Sequence, residues 1–532
     1  MTGESRGPEP TRPAECDPGA GPHARPTTPT LVDALLPIVA MLALFAVAAL
    51  WLELGTELLV LVLLGAATVA GLVARRHGRS WDDLQAAAGR KIADVLPALL
   101  ILLAIGLLIG AWVVSGTIPY LVYWGVRAIS PEYLPLSAFL ATATMSLVTG
   151  TSWGSAGTIG VALVGTAAAL GAPLAVTAGA VVSGAYLGDK MSPLSDMTNI
   201  AAIGAGSELF AHIRHMLYTA VPSLVACLAV YALLAPAGPA AAGATTAAAE
   251  TLLAQLASSF ELGPLTLLPP LIVAIGILRR TPPALAIALS SAVALSLGIW
   301  LQGFRVEDAL VAGVGGFDSA MLAARGVDPG ALDPRVLALV ERGGIFSMAT
   351  TLVVVFAAFL LAGAMEAYGA LERLIGALLA AVRGVFGLIA ATMAAGATTI
   401  ALTSHGGVTS LVVGGLFQKA YDERRLARVN LSRSLEDSVT LTEPLMPWTV
   451  SAVFMAGTLG VPTLEYLPWA VFCYGGPVFS LAIAATYGAT GFGIRTTAAG
   501  PEAGADEEPA PPLPARPRSP AASMEGGGPL PP

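Results

Sequence analysis

Two stretches, GTSWGSAGTIG (Gly150–Gly160) and GDKMSPLSDMTN (Gly188–Asn199), decide how this chain must be built. Both are crowded with hydroxyls, glycines and acids, and both lie among segments apolar enough to cross a membrane. Hydrocarbon offers no hydrogen-bond partner to such groups, so lipid-facing positions are excluded. The two stretches must face each other, a cavity or a ligand.

The chain around them is apolar throughout. Of its 532 residues, 55% are hydrophobic and only 12% charged, a composition no soluble protein of this size carries. A span needs about 20 apolar residues. Such runs occur near 35–53, 57–74, 95–115, 215–235, 264–278, 283–301, 345–365, 445–459 and 467–487. Pieces near 118–129, 134–149, 155–170 and 173–188 are short for spans and interrupted by Gly, Pro and Ser. They predict helices broken at depth or re-entrant hairpins. Further apolar pieces lie near 386–403 and 408–420. The expected fold is an all-α polytopic membrane protein of about 11–13 membrane segments. It occupies residues 31–490, between Pro/Gly-rich tails at 1–30 and 491–532 that read as disordered.

Charge fixes the orientation. Arg75, Arg76, Arg79, Arg90 and Lys91 share one short loop, Arg279 and Arg280 mark a turn, and Lys419, Arg424, Arg425, Arg428 and Arg433 form a second basic loop. The positive-inside rule makes all three cytoplasmic, and the N-terminus with them. Residues 302–344 then form an outside loop. Basic residues interleaved with aromatics are missing, which argues against a nucleic-acid partner. Cys16, Cys227 and Cys473 lack metal or disulfide spacing.

The sequence also repeats itself. GAWVVSG (Gly110–Gly116) matches GAMEAYG (Gly363–Gly369), and TSWG (Thr151–Gly154) matches TSHG (Thr403–Gly406). Thr158 and Ser410 follow at equal distance, and LGD (Leu187–Asp189) answers LED (Leu435–Asp437), with Ser192 and Thr440 three residues on. By the loop charges the span ending at Gly116 runs outward and the one ending at Gly369 inward. The expectation is two inverted-topology repeats, about 95–235 and about 345–490, with an ion site where they meet.

A carboxylate at the bilayer centre costs at least ~2.5–3.5 kcal/mol, so Asp189 and Asp196 are functional candidates by default. Glu436, Asp437 and Glu443 hold the matching region of the second repeat. A buried acid that takes either a proton or a cation, never both, exchanges one for the other. Small hard cations want oxygen ligands, which Thr151, Ser152, Ser155, Ser192, Ser195, Thr198 and Asn199 supply. Thr403, Ser404, His405 and Thr440 are their second-repeat counterparts. Pro193 lacks an N–H and would free the carbonyl of Asp189; Pro444 and Pro447 would free those of Thr440 and Glu443. Competing readings stand beside these. Ser155 and Gly157 fit close helix packing, and any lone hydroxyl can bond its own helix. Lys190 fits either snorkelling or a fixed cation beside Asp189. Glu436 and Asp437 fit pairing with Arg433. His405 reads as a proton carrier or a packed polar group, Trp153 as core, and His212 and His215 as structural.

TGTSWGSAGTIGVAL (Thr149–Leu163) and SGAYLGDKMSPLSDMTN (Ser183–Asn199) resemble the NhaC-type sodium/proton antiporter family, within a similarity spanning residues 31–490. The resemblance implies a bacterial inner-membrane carrier rather than an enzyme, exchanging internal Na⁺ for external H⁺ without a cofactor. It implies Na⁺ bound at Asp189 and Asp196, with the neighbouring hydroxyls in or beside the ion path. Its partners would be Na⁺, H⁺ and the lipid bilayer, and it is compatible with a homodimer. The same family includes exchangers of malate and lactate, so an organic-acid exchanger is the alternative; it needs a cationic group, and Lys190 is the nearest. An intramembrane aspartyl protease fits poorly: Tyr421-Asp422 sits in a basic loop after LGD, and Tyr186 stands where that motif requires glycine.

Overall fold

The computed structural model describes residues 28–51, 56–234 and 242–497. The tails expected at 1–30 and 491–532 therefore lie outside it, except for 28–30 and 491–497. Among the described residues the chain is helical, with α1 (Leu31–Trp51), α2 (Thr56–Arg76), the amphipathic α3 (Trp81–Asp94), α4 (Leu96–Val114) and α5 (Thr117–Ala128) in order. Next come α6 (Leu134–Thr149), the short α7 (Ser152–Ser155), α8 (Val161–Leu170), α9 (Leu174–Met191), α10 (Asp196–Ala205) and α11 (Leu209–Leu233). The middle holds α12 (Ala242–Ser259), α13 (Leu268–Leu278), α14 (Pro283–Trp300), α15 (Val306–Val314) and α16 (Pro334–Val340). The last third has α17 (Ala349–Ala367), α18 (Ala370–Ala380), α19 (Gly384–Thr403), α20 (Gly406–Glu423) and α21 (Val429–Leu435), then α22 (Val450–Leu459), α23 (Thr463–Tyr466) and α24 (Val471–Thr490).

Nine helices among the described residues are long and apolar enough to span a membrane, and eleven segments result if two pairs bent by 95° and 90° are each one span. The chain is thus an all-α polytopic membrane protein. Local chemistry sets the boundaries. Ser80 and Asp83 form a reciprocal capping box that starts α3 beside the first basic loop. Residues 491–496, expected to open the tail, are tied to the bundle: the Arg495 amide donates to Asn430 Oδ1 at 3.0 Å, and the Ala427 amide to the Arg495 carbonyl at 2.9 Å.

The repeat is visible in the turns. α6 ends at Thr149, Gly150 turns left-handed at φ +71°, and Thr151 caps α7; α19 ends at Thr403, Ser404 turns left-handed at φ +51°, and His405 caps α20. Ser195 caps the ten-residue α10, closed by Gly206 at φ +67°; Thr449 caps the ten-residue α22, closed by Gly460 at φ +71°. One constant interval separates every one of these pairs. Thr149 Oγ1 lies 3.4 Å from Ser155 Oγ, and its counterpart Thr403 Oγ1 lies 2.7 Å from Thr409 Oγ1.

This register differs from the one the letters suggest. Thr403 answers Thr149, not Thr151. Pro447 answers Pro193, and Glu443, not Asp437, answers Asp189. The cause is physical: hydroxyls and acids recur freely along Ala/Gly-rich helices, whereas a left-handed residue followed by an N-cap occurs only where a helix breaks.

Candidate ion-binding site

Asp189 stands in the last turn of α9, and both of its carboxylate oxygens are held. Ser152 Oγ donates to Oδ2 and Ser195 Oγ to Oδ1, each at 2.6 Å. Two helix starts deliver those hydroxyls. Thr151 caps α7 and sets Ser152 in its first turn; Ser195 caps α10, accepting from the amides of Met197 (3.2 Å) and Thr198 (3.4 Å). The two breaks touch at Gly150, where a Cβ would stand 2.6 Å from the Leu194 carbonyl carbon, so only glycine fits.

The second repeat presents Glu443 at the matching place. Its Oε2 would lie 3.0 Å from a Cβ on Gly406, the counterpart of Ser152. The hydroxyl and amide of Ser451 stand beside this carboxylate. Asp189 and Glu443 each retain 7% exposure, enough to open onto one shared cleft.

That cleft encloses ≈ 970 Å³. Of the expected site residues, Thr151, Ser152, Asp189, Asp196, Asn199, Ser404, His405, Thr440 and Glu443 line it. Ser195 reaches it through Asp189. Ser155 turns its hydroxyl back to the Thr151 carbonyl at 2.8 Å, Ser192 is buried at the end of α9, and Thr403 is engaged by Thr409. Asp196 is exposed in the first turn of α10, where a carboxylate complements the helix N-terminus. Asn199 binds the Pro193 and Ser195 carbonyls at 3.0 and 2.7 Å.

Two of the three carbonyls expected to be freed by proline are taken. Thr198 Oγ1 donates to the Asp189 carbonyl at 2.8 Å, and Thr449 Oγ1 to the Glu443 carbonyl at 2.5 Å.

Lys190 neither snorkels nor sits beside Asp189. It is fully buried in an ion pair with Asp437 and donates to Thr219 Oγ1 at 3.0 Å. Arg433 does not claim the acids either; its guanidinium donates to the Gly493 carbonyl. His405 spends Nδ1 accepting the Val408 amide at 3.3 Å as an N-cap. His212 and His215 are buried in α11. Trp153 lines the cleft and stacks on Phe454 of α22, 4.2 Å between centroids and 9° from parallel, joining the two repeats across the site.

Reading residue types did not find Gly406 or Ser451. The available signal was SPLS (Ser192–Ser195) over MPWT (Met446–Thr449), a proline two residues before a hydroxyl cap, with the acid four residues before the proline.

The Na⁺/H⁺ antiporter family matches residues 184–492. An uncharacterized Na⁺/H⁺ antiporter of Haemophilus influenzae is 42% identical over 470 residues, covering 88% of this chain and 98% of the relative. The Na⁺/H⁺ antiporter NhaC of Alkalihalophilus pseudofirmus is 35% identical, covering 80% and 89%. A malate-2H⁺/Na⁺-lactate antiporter of Bacillus subtilis is 30% identical, covering 87% and 95%. A family match over residues 184–492, and similarity that covers 98% and 89% of two relatives, mean that this chain belongs to the Na⁺/H⁺ antiporter family.

Proposed function

We propose that the chain is a secondary carrier exchanging Na⁺ for H⁺, with Asp189 and Glu443 as the groups that take either ion. The observation carrying this reading is the pair itself: two carboxylates from equivalent helix breaks, both buried, both opening on one cleft. Ser152, Ser195, Thr151 and Ser451 supply further oxygens to a small hard cation. Cation and proton compete for the same lone pairs, so occupancy by one expels the other. The relatives named as Na⁺/H⁺ antiporters support the assignment of ions. Asp196, at the mouth, guides cations inward by charge rather than completing the bound shell. The bacterial relatives favour an inner membrane location, and the loop charges a cytoplasmic N-terminus and inverted repeats about 95–235 and 345–490. Arg280 and Thr281 line the cleft, so its mouth lies beside the Arg279–Arg280 turn, on the cytoplasmic side by the same rule.

The organic-acid reading, supported by the malate/lactate relative, meets an obstacle. Lys190, its cationic candidate, is consumed by Asp437, and Arg280 is the sole Lys or Arg lining the cleft among the described residues. Purified protein in liposomes decides between them. A sodium jump should collapse an imposed pH gradient, and lactate or malate jumps should not. Lactate uptake indifferent to sodium would overturn the Na⁺/H⁺ reading.

A further inference from the structure

Behind the cleft lies a second set of acids that the exchange described above leaves unused. Residues Glu436–Thr440 form a single π-helical turn, a distortion that recurs at functional sites. Asp437 points one way, into the ion pair with Lys190 and towards Thr219 Oγ1 at 3.3 Å. Glu436 points another. It is completely buried, and neither of its oxygens meets hydrogen-bonding geometry with any described group. Thr440 stands beside it one turn on, its hydroxyl likewise unsatisfied, and Thr440 also lines the cleft. The charged groups acting most strongly on Glu436 are Lys190 and Asp189 from α9 and Asp437 from its own turn. α19 and α24, packed on the same turn, contain no Asp, Glu, Lys or Arg, and those on α20 lie towards its C-terminal end, from Lys419 onward. α21 adds Arg433, whose guanidinium goes to the Gly493 carbonyl, α10 adds Asp196, exposed in its first turn, and the following 3-10 turn adds Glu443, which opens on the cleft. The Lys190 charge is already met by Asp437. An ionised Glu436 would thus be an uncompensated buried charge, an arrangement that proteins avoid.

We propose that Glu436 is a proton site of its own, loaded from the cleft through the Thr440 hydroxyl and separate from the Asp189–Glu443 cation site. The step is a transfer between oxygens. A proton from water in the cleft passes to Thr440 Oγ1, which releases its own proton to a Glu436 carboxylate oxygen, and the reverse order discharges it. No sodium is displaced. The carrier then moves one more proton per cycle than exchange at the cation site alone demands. This rests on the sodium–proton reading above.

The test uses the full chain in liposomes, with radioactive sodium and a reversal-potential measurement of the proton-to-sodium ratio. In E436Q, sodium–sodium exchange persists while the ratio falls by one proton. The infrared band of a protonated carboxyl, seen in the wild type on acidification, loses the corresponding component. T440V, which keeps the acid, retains the ratio but slows proton-coupled flux roughly fivefold or more by removing the hydroxyl relay. An E436Q protein with the wild-type ratio overturns the assignment, as does one that loses sodium–sodium exchange, which would put Glu436 in the cation site. Wild-type proton-coupled flux in T440V overturns the route, and with it the proposal, if E436Q cannot be recovered folded. If the wild type itself moves no sodium, the earlier reading falls first and this one with it.

Discussion

The two halves of the site solve one problem with different residues. In the first repeat a short acid, Asp189, is met by two hydroxyls at 2.6 Å. In the second a longer acid, Glu443, extends past a glycine, Gly406, where the first repeat has Ser152. The room that the missing side chain leaves is shared by the Met197 methyl, the nearest atom to where a Cβ would stand, and the Glu443 carboxylate at 3.0 Å. The two equivalent breaks therefore share the position of a carboxyl rather than the identity of its residue. The halves also differ in freedom. Asp189 is fixed by charge-assisted bonds from two residues on two different helix starts, the stronger class, whereas Glu443 has one more torsion and meets the hydroxyl and amide of one residue, Ser451. The first half reads as the fixed wall of the site and the second as the half that adjusts to its occupant.

The largest effect that can break this comparison is neutralisation. Asp189→Asn and Glu443→Gln should each abolish sodium-dependent collapse of a pH gradient, a loss on the order of 100-fold or more for a lost charged ligand. If only one does, the symmetric pair is not the site. Next comes the exchange of partners. Ser152→Ala removes one charge-assisted donor, worth about 1.5–3 kcal/mol, and should weaken sodium activation roughly 10- to 100-fold. Asp189→Glu alone overfills its half. Asp189→Glu with Ser152→Gly copies the second repeat and should recover part of the lost flux. A double variant no better than the single one would show that the halves are not interchangeable. Transport assays in liposomes read all of these.

How much of this was legible beforehand follows from the same comparison. The helical, membrane-spanning fold was, because long apolar runs admit few alternatives in hydrocarbon. The breaks at Gly150 and at Ser192–Ser195 were also legible, since glycine, proline and hydroxyl clusters punctuate helices locally. The pairing of the repeats was only half legible. Letters suggested Asp437 opposite Asp189; the caps at Ser195 and Thr449 make it Glu443. Lys190 was illegible in principle. Its partner lies in the other half of the chain, and nothing near it in sequence says which way it turns. The proline argument failed for a similar reason: it identified the Asp189 carbonyl as freed but could not see Thr198 arriving from the next helix. Thr198→Val tests that point. It leaves the carbonyls of Asp189 and Lys190 without this donor and should cost about 1–3 kcal/mol of stability. The check is thermal unfolding in detergent, with an unshifted midpoint counting against it.

The comparison furthest from the ions concerns the left-handed glycines Gly116 and Gly369, and the smallest single effect is expected at Gly369. Gly116 and Gly369 both turn left-handed, at φ +78° and +81°, between a long span and an amphipathic helix. Alanine at either position meets the same backbone strain, about 1–2 kcal/mol. Their surroundings differ. A Cβ on Gly116 would stand 2.5 Å from Gln302 Nε2. Gln302 donates to the carbonyls of Ser115 and Glu261 at 3.0 Å and accepts the Glu261 amide at 2.8 Å. Displacing it breaks a small buried network that ties α4 to the chain between α12 and α13. A Cβ on Gly369 would meet only Glu372 Oε2, at 3.8 Å. Gly116→Ala should therefore lower the unfolding midpoint clearly more than Gly369→Ala, the excess reflecting about 1–3 kcal/mol of lost hydrogen bonding. Equal shifts would mean that Gln302 finds new partners and that this hinge is no stiffer than its copy. The comparison isolates packing from conformation, because the two glycines share a turn and differ in what surrounds it.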